Sequence, residues 1–326
     1  MKKIKFVTLF TLTILVSINL GAQSNKEIFT MFYNVENLFD TIDDPKTNDN
    51  EFLPGSKKDW DTEKYNHKIS QLTKVFSSIN NSKYPNIIGL CEIENKTVIN
   101  DLLSNPFFEN HNYSVVHKNS PDGRGIDCAL IYDNNFELLD KGFIKIKIPD
   151  AKRPTRDIVY AKLRFEKEII HVFVNHWPSR WGGEKETQYK RDFTASVLRK
   201  HIEKKVKKDD FLIVMGDLND YPSNNSVQNI LVQESLTNLC NLKDWEDRGS
   251  YSWDNQWGFL DQIIVSNNFL NKDSKLKVID FDVLDEEWML HTKQNGIRVP
   301  NRTFGRDSWY KGFSDHLPVY FMFKVE

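Results

Sequence analysis

Short apolar, β-branched runs of four to ten residues recur along the whole chain, separated by polar turns. They read as strands over residues 28–33, 86–91, 113–117, 128–132, 143–148, 158–165, 169–174, 211–215, 262–265, 275–284 and 317–325. Helical spacing is rarer. Ile69, Leu72, Phe76 and Ile79 share one face of a helix, and Ala195, Leu198, Ile202 and Val206 another, within a charged segment over 186–207. A third, shorter helix is expected over 225–233. Many strands against three or four helices suit two packed sheets with helices outside. Residues 40–64 and 285–312 are polar and do not read as core; long loops in a compact domain tend to be functional.

The first residues follow a different pattern. Lys2, Lys3 and Lys5 precede the apolar stretch Phe6–Val16, which ends in small residues at Gly21 and Ala22. A basic start, a short apolar run and small residues mark a secretory signal peptide, here residues 1–22. The blander reading is a buried N-terminal helix or an uncleaved anchor. Export to the periplasm or the medium is therefore expected, with one catalytic domain over residues 25–326 and no membrane span in the mature chain.

Composition narrows the function classes. With 39% hydrophobic and 28% charged residues the chain is globular, not collagen-like or disordered. A formal net charge of −2 advertises no global basic field, so a polyanionic substrate must be held locally, by a few Arg or Lys or by metal ions. Cys91, Cys128 and Cys240 have no CxxC spacing and exclude a thiolate zinc site. If the strands carrying Cys91 and Cys128 are neighbours, an exported protein could join them by a disulfide.

Acidic and amide residues gather where strand patterns stop. Asn34 and Glu36 end the first run, Glu92 another, and Asp217 and Asn219 a third; Asp261 opens a run, and Asp315 and His316 precede the last. Strand ends bring side chains distant in sequence to one rim. Carboxylate and amide oxygens are hard ligands that suit Mg²⁺ or Mn²⁺, with Ca²⁺ within the same chemistry. An Asp beside a His favours the imidazolium and fixes its tautomer. No Gly-rich nucleotide loop, nucleophilic-Ser signature or HExxH supports an ATPase, serine hydrolase or zincin.

Five strings, taken in order, resemble the endonuclease/exonuclease/phosphatase superfamily, in its deoxyribonuclease I-like branch. They are Asn34-Val35-Glu36, Glu92 after its strand, Asn175-His176-Trp177-Pro178-Ser179, Gly216-Asp217-Leu218-Asn219 and Ser314-Asp315-His316-Leu317-Pro318-Val319. The resemblance covers residues 28–325. It implies an α/β four-layer sandwich of two packed mixed β-sheets flanked by α-helices. It also implies a metal-dependent phosphodiesterase, most simply an endonuclease that hydrolyses nucleic acid by in-line attack of water, with no stable protein partner. Glu92 would be the central metal ligand, with Asn34, Glu36 and Asp315 completing or supporting the site. Asp217 would orient or deprotonate the water, Asn219 would donate to a phosphate oxygen, and His316, held by Asp261, would stabilise the developing charge. His176 would be the second catalytic histidine. Arg124 resembles a phosphate-contacting arginine of that branch.

Each residue has a blander reading. Asp217 and Asn219 suit a turn, His316 and His176 could be structural, and Glu36 could face solvent. Arg180, Arg191, Arg302 and Arg306 are candidate phosphate contacts, and Trp181 and Trp309 candidate stacking surfaces, each more readily read as an ordinary surface Arg or packed Trp. Two other functions stay open: a phosphoesterase of this fold acting on lipid head groups or small phosphorylated molecules, and an exported, non-catalytic binding module.

Overall fold

Residues 27–38 are apolar almost without a break, and such a run belongs between two covering layers. In the computed structural model, which describes residues 26–78 and 84–325, it forms β1 (Glu27–Leu38), buried from Ile28 to Glu36. The segment 1–22 and Ile79 lie outside the described residues. β1 pairs in parallel with β2 (Ile87–Ile93) by way of helix α1 (Thr62–Ser78), and antiparallel with β18 (Val319–Val325). With β3 (Tyr113–His117), β4 (Asp127–Asp133) and β13 (Leu276–Val283) this makes a six-stranded sheet in the order β13-β18-β1-β2-β4-β3.

The second sheet repeats the plan. It comprises β5 (Phe136–Ile144), β6 (Ile158–Phe165), β7 (Glu168–His176), β8 (Phe211–Asp217), β9 (Leu236–Asn238) and, after a separate small hairpin of β10 (Tyr251–Trp253) and β11 (Gln256–Gly258), β12 (Asp261–Ser266), in the order β5-β6-β7-β8-β12-β9. Here β7 and β8 are the parallel pair, joined through α3 (Glu184–Lys205). Each mixed sheet therefore holds one central parallel pair crossed by one helix, and antiparallel strands elsewhere.

The sheets pack face to face through β1, β2, β8 and β12, and their approach is close at Gly89 of β2. A Cβ there would stand 2.8 Å from the Met215 Sδ of β8 and 3.1 Å from the Phe32 ring. On the outside of the second sheet, Ala195, Leu198 and Ile202 of α3 cover Phe173, Leu212 and Val214. α1 covers the first sheet with Tyr65, Ile69, Leu72, Val75 and Phe76. The result is the four-layer α/β sandwich of the deoxyribonuclease I type.

Some boundaries differ from the sequence reading. The strand expected over 143–148 is β5, which starts at Phe136 and stops at Ile144; its edge position leaves it few buried residues, so the apolar pattern is faint. Helix α2 (Lys96–Leu103) has only eight residues and escaped notice, although Asn95 caps it by accepting from Thr97 N and Val98 N. The helix expected over 225–233 is a π-helix, Ser226–Val232. The polar stretch 285–312 folds into two small hairpins, β14 (Leu290–Thr292) with β15 (Arg298–Pro300), and β16 (Phe304–Gly305) with β17 (Ser308–Trp309). Cys91 and Cys128 do lie directly opposite each other on β2 and β4, both buried with free thiols. None of the described helices is long and apolar enough to cross a membrane.

Candidate active site

Strand register assembles the site. On β7 and β8, His176 lies beside Asp217; on β8 and β12, Asp217 lies beside Asp261. The other sheet meets them at the same rim, where the Asn34 Nδ2 donates to the Asp217 Oδ2 at 3.1 Å. Gly216 is required for this register: a Cβ there would stand 2.4 Å from the Asn175 carbonyl oxygen on the neighbouring strand.

Irregular backbone then aims the side chains. The β1–β2 register slips between Asn34 and Leu38, and the β2–β4 register slips between Cys91 and Ile93. Bulges at strand ends re-aim side chains and terminate pairing. Glu36 (φ 50°), Asn37 (φ 54°), Glu92 (φ 62°) and Asn219 (φ 49°) all take left-handed backbone without being glycine. Such conformations cost about 1–3 kcal/mol each and persist only where neighbours over-determine them. Here the neighbours are identifiable. Asn34 Oδ1 accepts the Glu36 N–H at 3.1 Å, Glu92 Oε2 accepts the Asn37 N–H at 3.0 Å, and Asp217 Oδ1 accepts the Asn219 N–H at 2.9 Å.

The two histidines are held in opposite charge states. His316 Nδ1 meets the Asp261 Oδ2 at 2.6 Å, and its Nε2 stands 3.9 Å from the Asp217 Oδ2. Burial alone would depress this imidazole, but Asp261 overrides it and holds His316 well above the ordinary histidine range. His176 is also buried, and burial together with Arg156 and Arg124 keeps it well below that range, hence neutral. Its Nε2 lies 3.7 Å from Asp217 and 3.9 Å from Glu92, while its buried Nδ1 has no hydrogen-bond partner. Ser314 locks the segment bearing His316 to β1, donating to the Asn34 carbonyl at 2.7 Å and accepting the His316 N–H at 3.1 Å.

The carboxylates outnumber their cations. Glu36 takes the Thr303 N–H at 2.7 Å and the Arg302 guanidinium at 3.1 Å, and Arg302 also reaches Asp315 at 3.0 Å. Even so, burial and then the neighbouring Asp315 push Glu36 up to about 7. Burial, with Asp261 adding to it, pushes Asp217 up to about 6. Glu92 is likewise raised by burial. Asp217, Asp261 and His316 offer ligand atoms within 4.8 Å of one another, but His316 Nδ1 is committed to Asp261, which suits a histidine–carboxylate pair better than an ion cage. Glu92, with Asp315 and Asp217 as its acidic neighbours, leaves carboxylate oxygens short of positive charge. Such a set fits a hard divalent cation.

One expected residue, Arg180, is committed elsewhere. Arg180 is spent on the backbone that presents Asn219: it donates to the Asn219 carbonyl at 2.7 Å and pairs with Asp220 at 3.2 Å. Asn219 in turn donates to the Trp177 carbonyl at 3.0 Å. Arg124 is exposed and lines a cleft of about 350 Å³ beside Glu36, shared with Phe39 just after β1, Phe52 and Trp60 from the first long loop and Arg302 and Arg306 from the second. Two features were missed. Lys68, fully buried on α1, donates to the Thr303 Oγ1 at 2.6 Å and lies close enough to Glu36 to oppose its rise. Its signal was a lysine inside the buried stripe Tyr65, Ile69, Leu72. Arg156 joins the Asp122 carboxylate at 3.1 Å to the Trp177 carbonyl at 2.6 Å and so steadies the backbone after His176; no string in the sequence marks it.

Solved structures of the same fold cover nearly the whole chain. Zebrafish (D. rerio) TDP2, in complex with single-strand DNA product, superposes with a TM-score of 0.58 at 12% identity, over 92% of this chain and 99% of that one. An endonuclease/exonuclease/phosphatase family protein from Bacteroides thetaiotaomicron gives 0.58 at 15% identity, over 93% and 99%. C. elegans TDP2 gives 0.56 at 15% identity, over 93% of this chain and 77% of that one. No curated protein matches the sequence. The sequence profile of the endonuclease/exonuclease/phosphatase family, however, matches residues 29–325, from β1 through β18, and the chain belongs to that family.

Proposed function

We propose that the chain is a divalent-metal-dependent phosphodiesterase that cuts nucleic acid, carried out of the cytoplasm by a signal segment over residues 1–22. The observation that carries this reading is the pairing at one rim of a buried carboxylate, Asp217, with two histidines of opposite protonation, His316 and His176. In-line attack on phosphorus needs an oriented water, donors for the equatorial oxygens and help for the leaving oxygen. Asp217 is fixed by Asn34 and Asn219 and accepts the proton of an attacking water. Its raised pKa leaves it basic enough to do so near neutrality. His316, kept as imidazolium by Asp261, donates through Nε2 to the charge that develops on phosphorus. His176 is neutral and donates to a non-bridging or leaving oxygen without adding charge. Arg124 and Arg302 border the cleft in which the substrate would lie. A divalent ion held by Glu92 with Asn34, Glu36 and Asp315 would supply Lewis-acid neutralisation of the phosphoryl group.

The nucleic-acid reading draws support from the DNA product bound by the zebrafish relative. Nicking of plasmid DNA by purified protein with Mg²⁺ or Mn²⁺ tests it. Nicking should vanish with chelator and with Glu92→Gln. Hydrolysis of sphingomyelin or of bis(p-nitrophenyl) phosphate with DNA and RNA untouched would instead favour a phosphoesterase for lipid head groups or small molecules. Cation binding without any turnover would leave a binding module. N-terminal sequencing of the exported protein tests cleavage after Ala22.

A further inference from the structure

A second cavity, of about 550 Å³, lies between the segment after β3 and the loop joining β5 to β6. That size is within the range of roughly 300–1,000 Å³ typical of ligand pockets. β4 enters at Asp127, opposite Ile93, the residue after Glu92. In the other sheet, Val159 of β6 lies beside Val174, two residues before His176. Both loops therefore rise at the level of the catalytic groups.

The cavity is built from cations. Lys118, Lys145, Lys147 and Arg153 line it, against a single carboxylate, Asp157. Asp157 is only 4% exposed and neither of its oxygens has a hydrogen-bond partner. Lys118 Nζ stands 3.8 Å from it, and Lys145 is its other cationic neighbour. One buried carboxylate shared by two lysines holds them in place yet neutralises at most one charge. Lys147 and Arg153 have no ion pair among the described residues. In a chain of net charge −2, this is a local excess of positive charge, not the background. Ile146 and Ile148 supply an aliphatic wall.

A single loop separates this cavity from the cleft beside Glu36. Ser120 and Pro121 face the basic cavity, and Arg124 faces the cleft. Between them Asp122 accepts the Arg124 N–H at 2.9 Å and pairs with Arg156, whose other amino group holds the Trp177 carbonyl next to His176. Basic residues thus line both spaces, Arg302, Arg306 and Arg124 the cleft and Lys118 and Lys147 the cavity.

We propose that this cavity is a phosphate-binding subsite that holds a nucleic-acid strand beyond the bond being cut and makes the chain select extended polyanions over small diesters. The inference rests on the nuclease reading and deepens it. A membrane-docking face would set exposed aromatic or large apolar side chains beside the lysines; the exposed ones here, such as Trp181, Trp253 and Tyr310, are not among the cavity's residues.

The test uses the full chain and a variant carrying Lys145→Ala, Lys147→Ala and Arg153→Ala. Substrates are bis(p-nitrophenyl) phosphate and a fluorescein-labelled twelve-nucleotide single strand. On the small diester, kcat/KM should stay within twofold of the parent. On the oligonucleotide, KM should rise at least tenfold with kcat unchanged. The slope of log kcat/KM against log salt should become shallower by about 2, since each single-strand phosphate contact contributes about 0.7. Unchanged KM and salt slope, or equal losses on both substrates, would overturn the subsite. So would inhibition of the parent's oligonucleotide cleavage by anionic vesicles but not by heparin. If the parent turns over neither substrate, the nuclease reading fails by itself. Fluorescence anisotropy of the same oligonucleotide then decides the subsite: at least tenfold weaker binding by the variant supports it, and equal binding overturns it.

Discussion

Replacing Asp261 by Asn isolates the electrostatics of the site. Asp261 is fully buried, its Oδ2 is 2.6 Å from the His316 Nδ1, and its N–H donates to the Ser250 Oγ at 3.1 Å. The amide keeps the shape and the backbone contact but removes the charge that opposes burial of the imidazolium. His316 then passes toward its neutral form at neutral pH and cannot stabilise negative charge on phosphorus. A hydrogen bond to a charged group contributes about 1.5–3 kcal/mol, which corresponds to roughly 10- to 150-fold in rate. The assay is steady-state hydrolysis of bis(p-nitrophenyl) phosphate at saturating Mg²⁺ from pH 5 to 9. The variant should lose kcat by that factor, and the alkaline limb of its profile should move to lower pH. Because a buried charge is removed without a cavity, Tm should change by no more than a few degrees. A kcat within threefold of the parent, with the alkaline limb in place, would refute the assigned pairing.

Three further outcomes follow from the same geometry. Asp217→Asn should lower kcat by about 10²–10⁴-fold, the usual worth of a positioned base, and abolish the acid limb. In chelator the same variant should gain stability over the parent as pH rises from 4 to 7. The parent's folded state holds a proton on Asp217 up to about 6 where the unfolded chain releases it at 3.8, which corresponds to about 3 kcal/mol; thermal melts across that window that show no such divergence would contradict it. Gly216→Ala should cost about 1–3 kcal/mol of stability by overpacking against Asn175, read as a fall in the urea midpoint. Lys68→Met should destabilise by about 3 kcal/mol, because it leaves Glu36 buried with Arg302 as its remaining cation and strips the donor from Thr303; chemical denaturation measures it.

The alternation of apolar runs was enough to reveal the two-sheet architecture, because central strands such as β1 and β8 are buried on both faces and leave little ambiguity. Edge strands were less legible. β5 carries so few buried residues that its own sequence hardly distinguishes it from a loop. At the site, the strings around Asn34, Glu92, Asp217 and His316 were visible because each ends or opens a strand. What holds them was not. The Thr303 N–H on the Glu36 carboxylate, the clamp of Arg180 on Asn219 and the bond of the buried Lys68 to Thr303 join residues 39 to 267 positions apart, and no local pattern encodes such contacts. The two long polar loops stood out by length alone, and both line the cleft beside Glu36, at Trp60 and Arg302.

The central claim is that residues from both sheets form one centre for phosphoester hydrolysis. Hydrolysis of bis(p-nitrophenyl) phosphate by chelator-stripped protein, with Mg²⁺ or Mn²⁺ added back, tests it most directly when parent, Glu92→Gln and His316→Ala are compared. Turnover should appear only with added cation, be lost in Glu92→Gln at any cation concentration, and fall in His316→Ala with the cation's half-saturation unchanged. Full turnover in chelator, or parent-like rates in both variants, would contradict the account.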